Sequence, residues 1–232
     1  MGSSRFPGKM MQDIGGRPTI ARVVERLQRC ESLDGIIIAT STSGADDVLA
    51  NWAKDNDIAC YRGSEEDVLA RVVGAHREMK SEIVVEICGD CPLIDPNIVD
   101  LAVQTFVNND CDLVTTVLKR SFPKGMDVEI FRRDELEKID QAIDDPDVRE
   151  HVSLSFYQNP DQYKLLGLNA PPQWVAPDVR CVLDYPEDLD FIRTVYSRLG
   201  SGSQNYFGID DVLDLLRREP DLLAINAMHE NA

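Results

Sequence analysis

Asp90 and Asp184 are the two side chains best placed in this sequence to act together. Each follows a short apolar run and precedes a proline that can open a helix. If both runs are strands of one sheet, both carboxylates emerge at its C-terminal edge. Two hard oxygen ligands there, completed by phosphate oxygens and water, suit Mg²⁺, which takes only one or two protein carboxylates. Two helix-capping aspartates would leave the same trace. The opposite charge comes from the opening stretch Gly2-Ser3-Ser4-Arg5-Phe6-Pro7-Gly8-Lys9. Small residues let a backbone turn its N–H groups inward. Arg5 can fork onto two phosphate oxygens and Lys9 can act as a point charge. An unstructured, serine-rich terminus with two incidental cations is the alternative.

Other reactive residues carry weaker signals. Cys88 and Cys91 form a Cys-x-x-Cys, but no second pair exists to complete a zinc ribbon, so functional thiols are not expected. Asp127 and Glu129 would point to one side of an extended segment, to grip sugar hydroxyls or simply to be solvated. His151 sits in a clustered polar setting, either structural or catalytic, whereas His76 reads as a helix-surface residue.

Composition bounds what these residues can serve. A net charge of −17 and a pI near 4.5 argue against a general nucleic-acid binder or an anionic membrane surface. The basic loop at residues 2–9 therefore stands out against its background. Six scattered cysteines fit a reducing compartment better than a disulfide framework. No run reaches the roughly 18–20 apolar residues of a membrane span. No signal peptide is visible, so a cytoplasmic location is expected.

The elements that must position these residues alternate. Helical spacing runs from Pro18 to about Cys30, followed by an apolar strand at 35–40 and a helix over 45–55. A strand at 58–61, a helix opened by Ser64 and a strand at 82–87 come next, then a helix over 96–106 and a strand at 113–117. Residues 122–131 read as a hairpin-like or edge element, 135–143 as a helix, and 149–159 as another. A strand at 179–183 ends at Asp184, a helix runs over 186–199, Gly200 to Ser203 is a flexible linker, and 209–217 closes the chain as a helix. This is a doubly wound α/β sheet, in which ligands sit beyond the C-terminal strand ends. That singles out Thr40 and Ser41, Arg62 to Ser64, and Gly89-Asp90. No strand precedes the loop, so the first strand of the sheet is expected to be missing.

Taken together and in order, six stretches resemble the cytidylyltransferase superfamily of CMP-sugar synthetases. Within it, they look most like the branch of spore coat polysaccharide and acylneuraminate cytidylyltransferase-like proteins. They are Gly2 to Lys9, Arg62 to Arg71, Gly89-Asp90-Cys91-Pro92-Leu93-Ile94-Asp95, Pro123 to Phe131, Arg149-Glu150-His151-Val152 and Leu183-Asp184-Tyr185-Pro186-Glu187-Asp188-Leu189. The resemblance implies a Rossmann-like nucleotidyltransferase domain over 1–199, with a dimerisation or substrate arm near 121–159 and a helical tail over 200–232. It implies a Mg²⁺-dependent enzyme that transfers CMP from CTP to a sugar or sugar acid, releases pyrophosphate, serves surface polysaccharide or glycoconjugate synthesis, and forms a homodimer. Gly2, Ser3, Ser4, Arg5 and Lys9 would then hold the CTP phosphates, with Arg5 and Lys9 stabilising departing pyrophosphate. Thr40, Arg62, Ser64, Asp67 and Arg71 would lie near base and ribose. Lys124, Asp127, Glu129 and His151 would face the acceptor, and Asp90 and Asp184 would bind the metal. The competing expectations are a nucleotidyltransferase with another nucleotide or acceptor, and a truncated, non-catalytic relative acting as a binding or scaffold subunit.

Overall fold

The computed structural model describes residues 5–200 and 206–229. Gly2, Ser3 and Ser4, and Ser201 to Ser203 of the expected linker, lie outside the described residues. The first helix, α1 (Thr19–Leu27), follows Pro18 and buries Ile20, Val23, Val24 and Leu27 along one stripe. Three strand–helix units come next: β1 (Ile37–Ser41) with α2 (Asp47–Asp55), β2 (Ala59–Gly63) with α3 (Val68–Met79), and β3 (Ile83–Glu86) with α4 (Pro96–Val107). Side chains of Asp67 and Asp95 cap α3 and α4 by accepting from the backbone N–H of Ala70 and Asn97. The chain then runs through β4 (Leu113–Thr115), β5 (Glu129–Arg132), α5 (Arg133–Ala142), α6 (Pro146–Glu150), α7 (Leu154–Gln158) and β6 (Leu165–Gly167), and ends with α8 (Pro186–Leu199) and α9 (Ile209–Arg218).

The strands form two sheets among the described residues. β1 and β2 pair in parallel, and the other four lie in the order β3-β5-β4-β6. β5 runs antiparallel to both β3 and β4, while β4 and β6 are parallel. Between β1 and β3 lies a cavity of 530 Å³, lined on one side by residues 36–41 and on the other by residues 84–90. The sheet is thus interrupted at the place where β1 and β3 face each other.

The structure departs from the sequence expectations at four places. Residues 179–183 are not a strand: Arg180 makes one isolated parallel bridge with Lys124, and the surrounding backbone is extended without a ladder. The single helix over 149–159 is two short ones, broken where His151 turns extended at φ −113° and ψ 96°. β6 lies between the turn signals at Asn159-Pro160 and Ala170-Pro171-Pro172, but it is three residues long and without alternation, and it was not anticipated. His76 is half-buried rather than on the surface, and its Nδ1 lies 2.7 Å from Ser81 Oγ.

The main core joins α1, α4, α8 and α9 with β4 and β5. α9 contributes buried Ile209, Val212, Leu213, Leu215 and Leu216 to it. The segment after residue 206 also reaches inward with polar groups: Ile209 N–H donates to Asp95 Oδ2 at 2.6 Å, and Asn226 Nδ2 donates to Asp188 Oδ1 at 2.9 Å. No helix among the described residues is long and apolar enough to cross a membrane.

Candidate active site

The described part of the basic loop is anchored by its own turn and by α1. Gly8 takes a left-handed conformation (φ 75°) and starts a 3₁₀ turn, Lys9–Met11, in which Met11 N–H donates to Gly8 O at 3.0 Å. Thr19 N–H donates to Gln12 O at 2.9 Å, tying the turn to α1. This geometry carries Lys9 inward, where it is 8% exposed.

Lys9 Nζ lies 2.6 Å from Asp90 Oδ2 and 2.8 Å from Asp184 Oδ1. The two aspartates, 94 positions apart in sequence, therefore converge on one ammonium group. Their backbones are joined as well, since Leu183 N–H donates to Asp90 O at 2.8 Å. Arg5 adds a second cation, 3.1 Å from Asp184 Oδ1 and 5.6 Å above the Tyr185 ring, with its side chain half exposed. Burial works to lower the Lys9 pKa, but Asp90 and Asp184 outweigh it and hold the group above its ordinary value. For Asp184 burial pulls upward, and Lys9, Arg5 and Arg180 outweigh it and hold the carboxyl below the usual range.

Asp184 is held by partners that the sequence reading did not single out. Arg180, 4% exposed, forks onto Asp188 at 2.8 and 2.9 Å and reaches Asp184 Oδ2 at 3.3 Å. Asp188 Oδ2 also accepts from the N–H groups of Asp184 and Tyr185, both at 3.0 Å. Asp188 thus caps α8 and fixes the direction in which Asp184 leaves the chain. The signal was legible: Arg180, Asp184 and Asp188 stand at spacings of four. A tight turn presses against this segment. Gly125 has φ +91°, and a Cβ there would lie 2.5 Å from Val182 N. Lys124 N–H donates to Val179 O at 2.8 Å and Cys181 N–H to Lys124 O at 2.7 Å.

The remaining predicted residues fall into two groups. Thr40, Arg71 and Asp90 line the 530 Å³ cavity together with Ser41, Glu86 and Cys88. Thr40 Oγ1 donates to Asp46 Oδ2 at 2.7 Å, and Ser41 donates to the same oxygen through its N–H and hydroxyl. Arg71 donates to the carbonyls of Ser64 and Glu65, while its Nε is buried without a partner. Arg62, Ser64 and Asp67 do not line that cavity. Arg62 holds Ser41 O, Ser43 O and the Asp47 carboxylate. Ser64 Oγ accepts from Asp67 N–H at 3.1 Å, and Asp67 is gripped by Arg149.

On the other side, Asp127 is forked by Arg120 at 2.8 and 3.4 Å. Burial, then the neighbouring Arg180 and Arg120, lower the Lys124 pKa. Glu129 accepts a hydrogen bond from Tyr157, whose hydroxyl also lies 2.8 Å from Thr115 Oγ1. Glu129 pairs in register with Glu86 across β5 and β3. His151 is exposed at the end of α6.

Asp90 and Asp184 offer the hard oxygen donors that a small divalent cation takes, and their meeting point already holds a positive charge. Among the described residues no third His, Cys, Asp or Glu joins them. That number fits Mg²⁺, which draws its other ligands from water and phosphate.

Comparison with known proteins identifies the family. The pattern of the family described as cytidylyltransferase matches residues 1–207. The spore coat polysaccharide biosynthesis protein SpsF of Bacillus subtilis is 30% identical over 227 residues, covering 95% of this chain and 92% of that protein. A 3-deoxy-manno-octulosonate cytidylyltransferase of Anaeromyxobacter dehalogenans is 40% identical over 105 residues, 44% of this chain and 42% of its own. Among solved structures, a cytidylyltransferase from Leptospira borgpetersenii superposes with a TM-score of 0.90 at 29% identity, covering 96% of this chain and 92% of that one. With its α/β architecture and its paired aspartates in place, the chain belongs to the cytidylyltransferase family and is a nucleotidyltransferase enzyme.

Proposed function

We propose that this enzyme transfers CMP from CTP to a hydroxyl of a sugar or sugar acid and releases pyrophosphate, in the synthesis of a surface polysaccharide or glycoconjugate. The observation that carries this reading is the convergence of Asp90 and Asp184 on Lys9 Nζ at 2.6 and 2.8 Å. It supports a metal–triphosphate site, because carboxylates suited to a cation and a cation suited to phosphate meet at one point. The acceptor hydroxyl oxygen attacks the α-phosphorus and gives its proton to solvent, the bond from that phosphorus to the β-bridging oxygen breaks, and the electron pair leaves with pyrophosphate. Such a transfer depends mainly on positioning and on neutralising charge.

Lys9 and Arg5 face the β- and γ-phosphates in this reading, and Arg5 is exposed enough to fork onto them. Arg180 and Asp188 keep Asp184 aimed at the same point. A Mg²⁺ ion held by Asp90 and Asp184 would supply further charge neutralisation on the phosphate oxygens. Thr40 and Arg71 border the cavity beside Asp90, on the nucleoside side, and Lys124, Asp127 and Glu129 lie on the acceptor side. A homodimer through the 121–159 region and a cytoplasmic location complete the proposal.

The test is pyrophosphate release from CTP and Mg²⁺ across a panel of sugar acceptors. Asp90→Ala should lower turnover by about 10²–10³, the cost of losing a preorganised charge-stabilising group. Unchanged turnover refutes the assignment of Asp90. Thermal-shift comparison of CTP with UTP, GTP and ATP checks the nucleotide, since only the true ligand stabilises by mass action at low concentration.

A further inference from the structure

The last described residues of the chain return to the active site. Glu219, just after α9, pairs with Arg198 in the last turn of α8 at 3.1 Å. A 3₁₀ stretch, Pro220–Ile225, then runs against α8 and α9. At its far end His229 Nε2 lies 3.0 Å from Glu187 Oε2, in the first turn of α8. From Glu187 to Arg198 the helix rises about 16 Å, and roughly ten residues of 3₁₀ chain cover about 20 Å, so the segment reaches from one end of α8 to the other. Between those ends it is pinned by Asn226, 3% exposed, whose Nδ2 donates to Arg180 O at 3.1 Å and to Asp188 Oδ1 at 2.9 Å.

The end of this segment covers Tyr185, the residue that follows Asp184. The His229 imidazole is stacked on the Tyr185 ring, with 3.8 Å between centroids and 6° between planes. Glu187 holds the imidazole at its edge. The Tyr185 ring also lies 5.6 Å from the Arg5 guanidinium and 5.7 Å from that of Arg180. With one face taken by His229, the ring offers the guanidinium groups its other face and its edge.

Arg5 depends on that ring. Among the described residues its side chain has two contacts, the Asp184 carboxylate and Tyr185. A half-exposed arginine that forks onto a phosphate gives up rotamer freedom, which weakens binding unless the side chain is held beforehand. Where Asp184 turns to a cation, the Tyr185 ring is the contact that still holds the guanidinium. A ring that is itself fixed does this better than one free to turn.

We propose that segment 220–229 is a working part of the triphosphate site, in which His229 locks the Tyr185 ring and thereby positions Arg5 for the β- and γ-phosphates. This rests on the cytidylyl-transfer reading for the ligand and adds a positioning residue to it.

Calorimetric titration with three ligands tests it: CTP with Mg²⁺, inorganic tripolyphosphate with Mg²⁺, and CMP. His229→Ala should weaken CTP and tripolyphosphate by about threefold to tenfold, the order that one stacked ring contact supplies, and leave CMP within about twofold. His229→Phe keeps a ring on Tyr185 without the contact to Glu187 and should recover most of the loss. In an Arg5→Met background His229→Ala should have almost no further effect, because both act on one contact. The same factor for all three ligands, or the same factor with and without Arg5, marks a purely structural role and overturns the proposal. Unchanged affinity for CTP and tripolyphosphate in His229→Ala overturns it too. A wild type that binds tripolyphosphate but not CTP removes the cytidylyl-transfer reading instead, and the His229 comparison on tripolyphosphate still decides this one.

Discussion

Replacing Glu86 by glutamine should change how stability depends on pH. In the folded protein Glu86 holds its proton up to about pH 8, whereas its ordinary value is 4.5. Below pH 4.5 both folded and unfolded chains carry the proton. Between 4.5 and 8 the unfolded chain has lost it and the folded one has not, so the folded state binds more protons and stability falls as pH rises. At about 1.4 kcal/mol per pH unit the whole interval would be worth nearly 5 kcal/mol. Partial access of the side chain to water reduces this to about 2 kcal/mol in practice. Urea unfolding of wild type and Glu86→Gln at half-unit intervals from pH 5 to 8.5 reads the effect directly. The difference between the two should change steadily in favour of the glutamine variant as pH rises, by about 2 kcal/mol over the range. The net charge of −17 tilts both proteins alike and cancels in the difference. Parallel curves would refute the placement of Glu86 as a carboxyl without a donor.

Gly125→Ala should destabilise the protein by about 2–4 kcal/mol, from a left-handed backbone and a Cβ pressed on the Val182 backbone. Urea unfolding checks this, and a loss below about 0.5 kcal/mol contradicts the turn geometry. Asp188→Asn leaves the buried Arg180 short of its charge partner and should cost about 3 kcal/mol in thermal or urea unfolding, with a fall in pyrophosphate release as Asp184 loses its support. His76 is pushed down to about 4 by burial and by Arg133, from an ordinary 6.5. The unfolded chain therefore binds the extra proton first on acidification, and stability is lost as pH falls from 6.5 toward 4, a loss that His76→Gln should reduce in the same urea series.

The sequence carried the strand–helix alternation to α4 well, because the strands there are short apolar runs and α1, α3 and α4 have a capping side chain or a proline at their start. It also carried the meeting of Lys9, Asp90 and Asp184, since each aspartate follows an apolar run and precedes a proline that opens a helix. Segment 179–183 misled for a physical reason. Its side chains are buried like those of a strand, but its backbone is satisfied by single contacts to Lys124, Asp90 and Asn226 instead of by a ladder. The helix at 149–159 misled because hydrophobic spacing continues across His151 while the backbone does not. Arg62 and Asp67 are polar residues at strand and helix ends, the places where ligand contacts are sought, yet here they lock one loop to the next. Whether a charged residue binds a neighbour or a ligand is decided by partners distant in sequence, such as Arg149 for Asp67.

The interruption between β1 and β3 bears on how the molecule opens. β1 and β2 share no ladder hydrogen bond with the other four strands among the described residues. They are held by apolar packing: Ile38 of β1 against Ile20 and Val24 of α1 and Leu49 and Ala53 of α2, with α3 bridging the two sheets. Packing without a continuous ladder marks a boundary between cooperative units. The β1–α2–β2 unit can therefore exchange its amides by a smaller opening than the β3-β5-β4-β6 sheet requires. It also leaves the facing edges of β1 and β3 as two templates with unmatched N–H and C=O groups, so that one extended strand laid along the cavity would join both sheets into one.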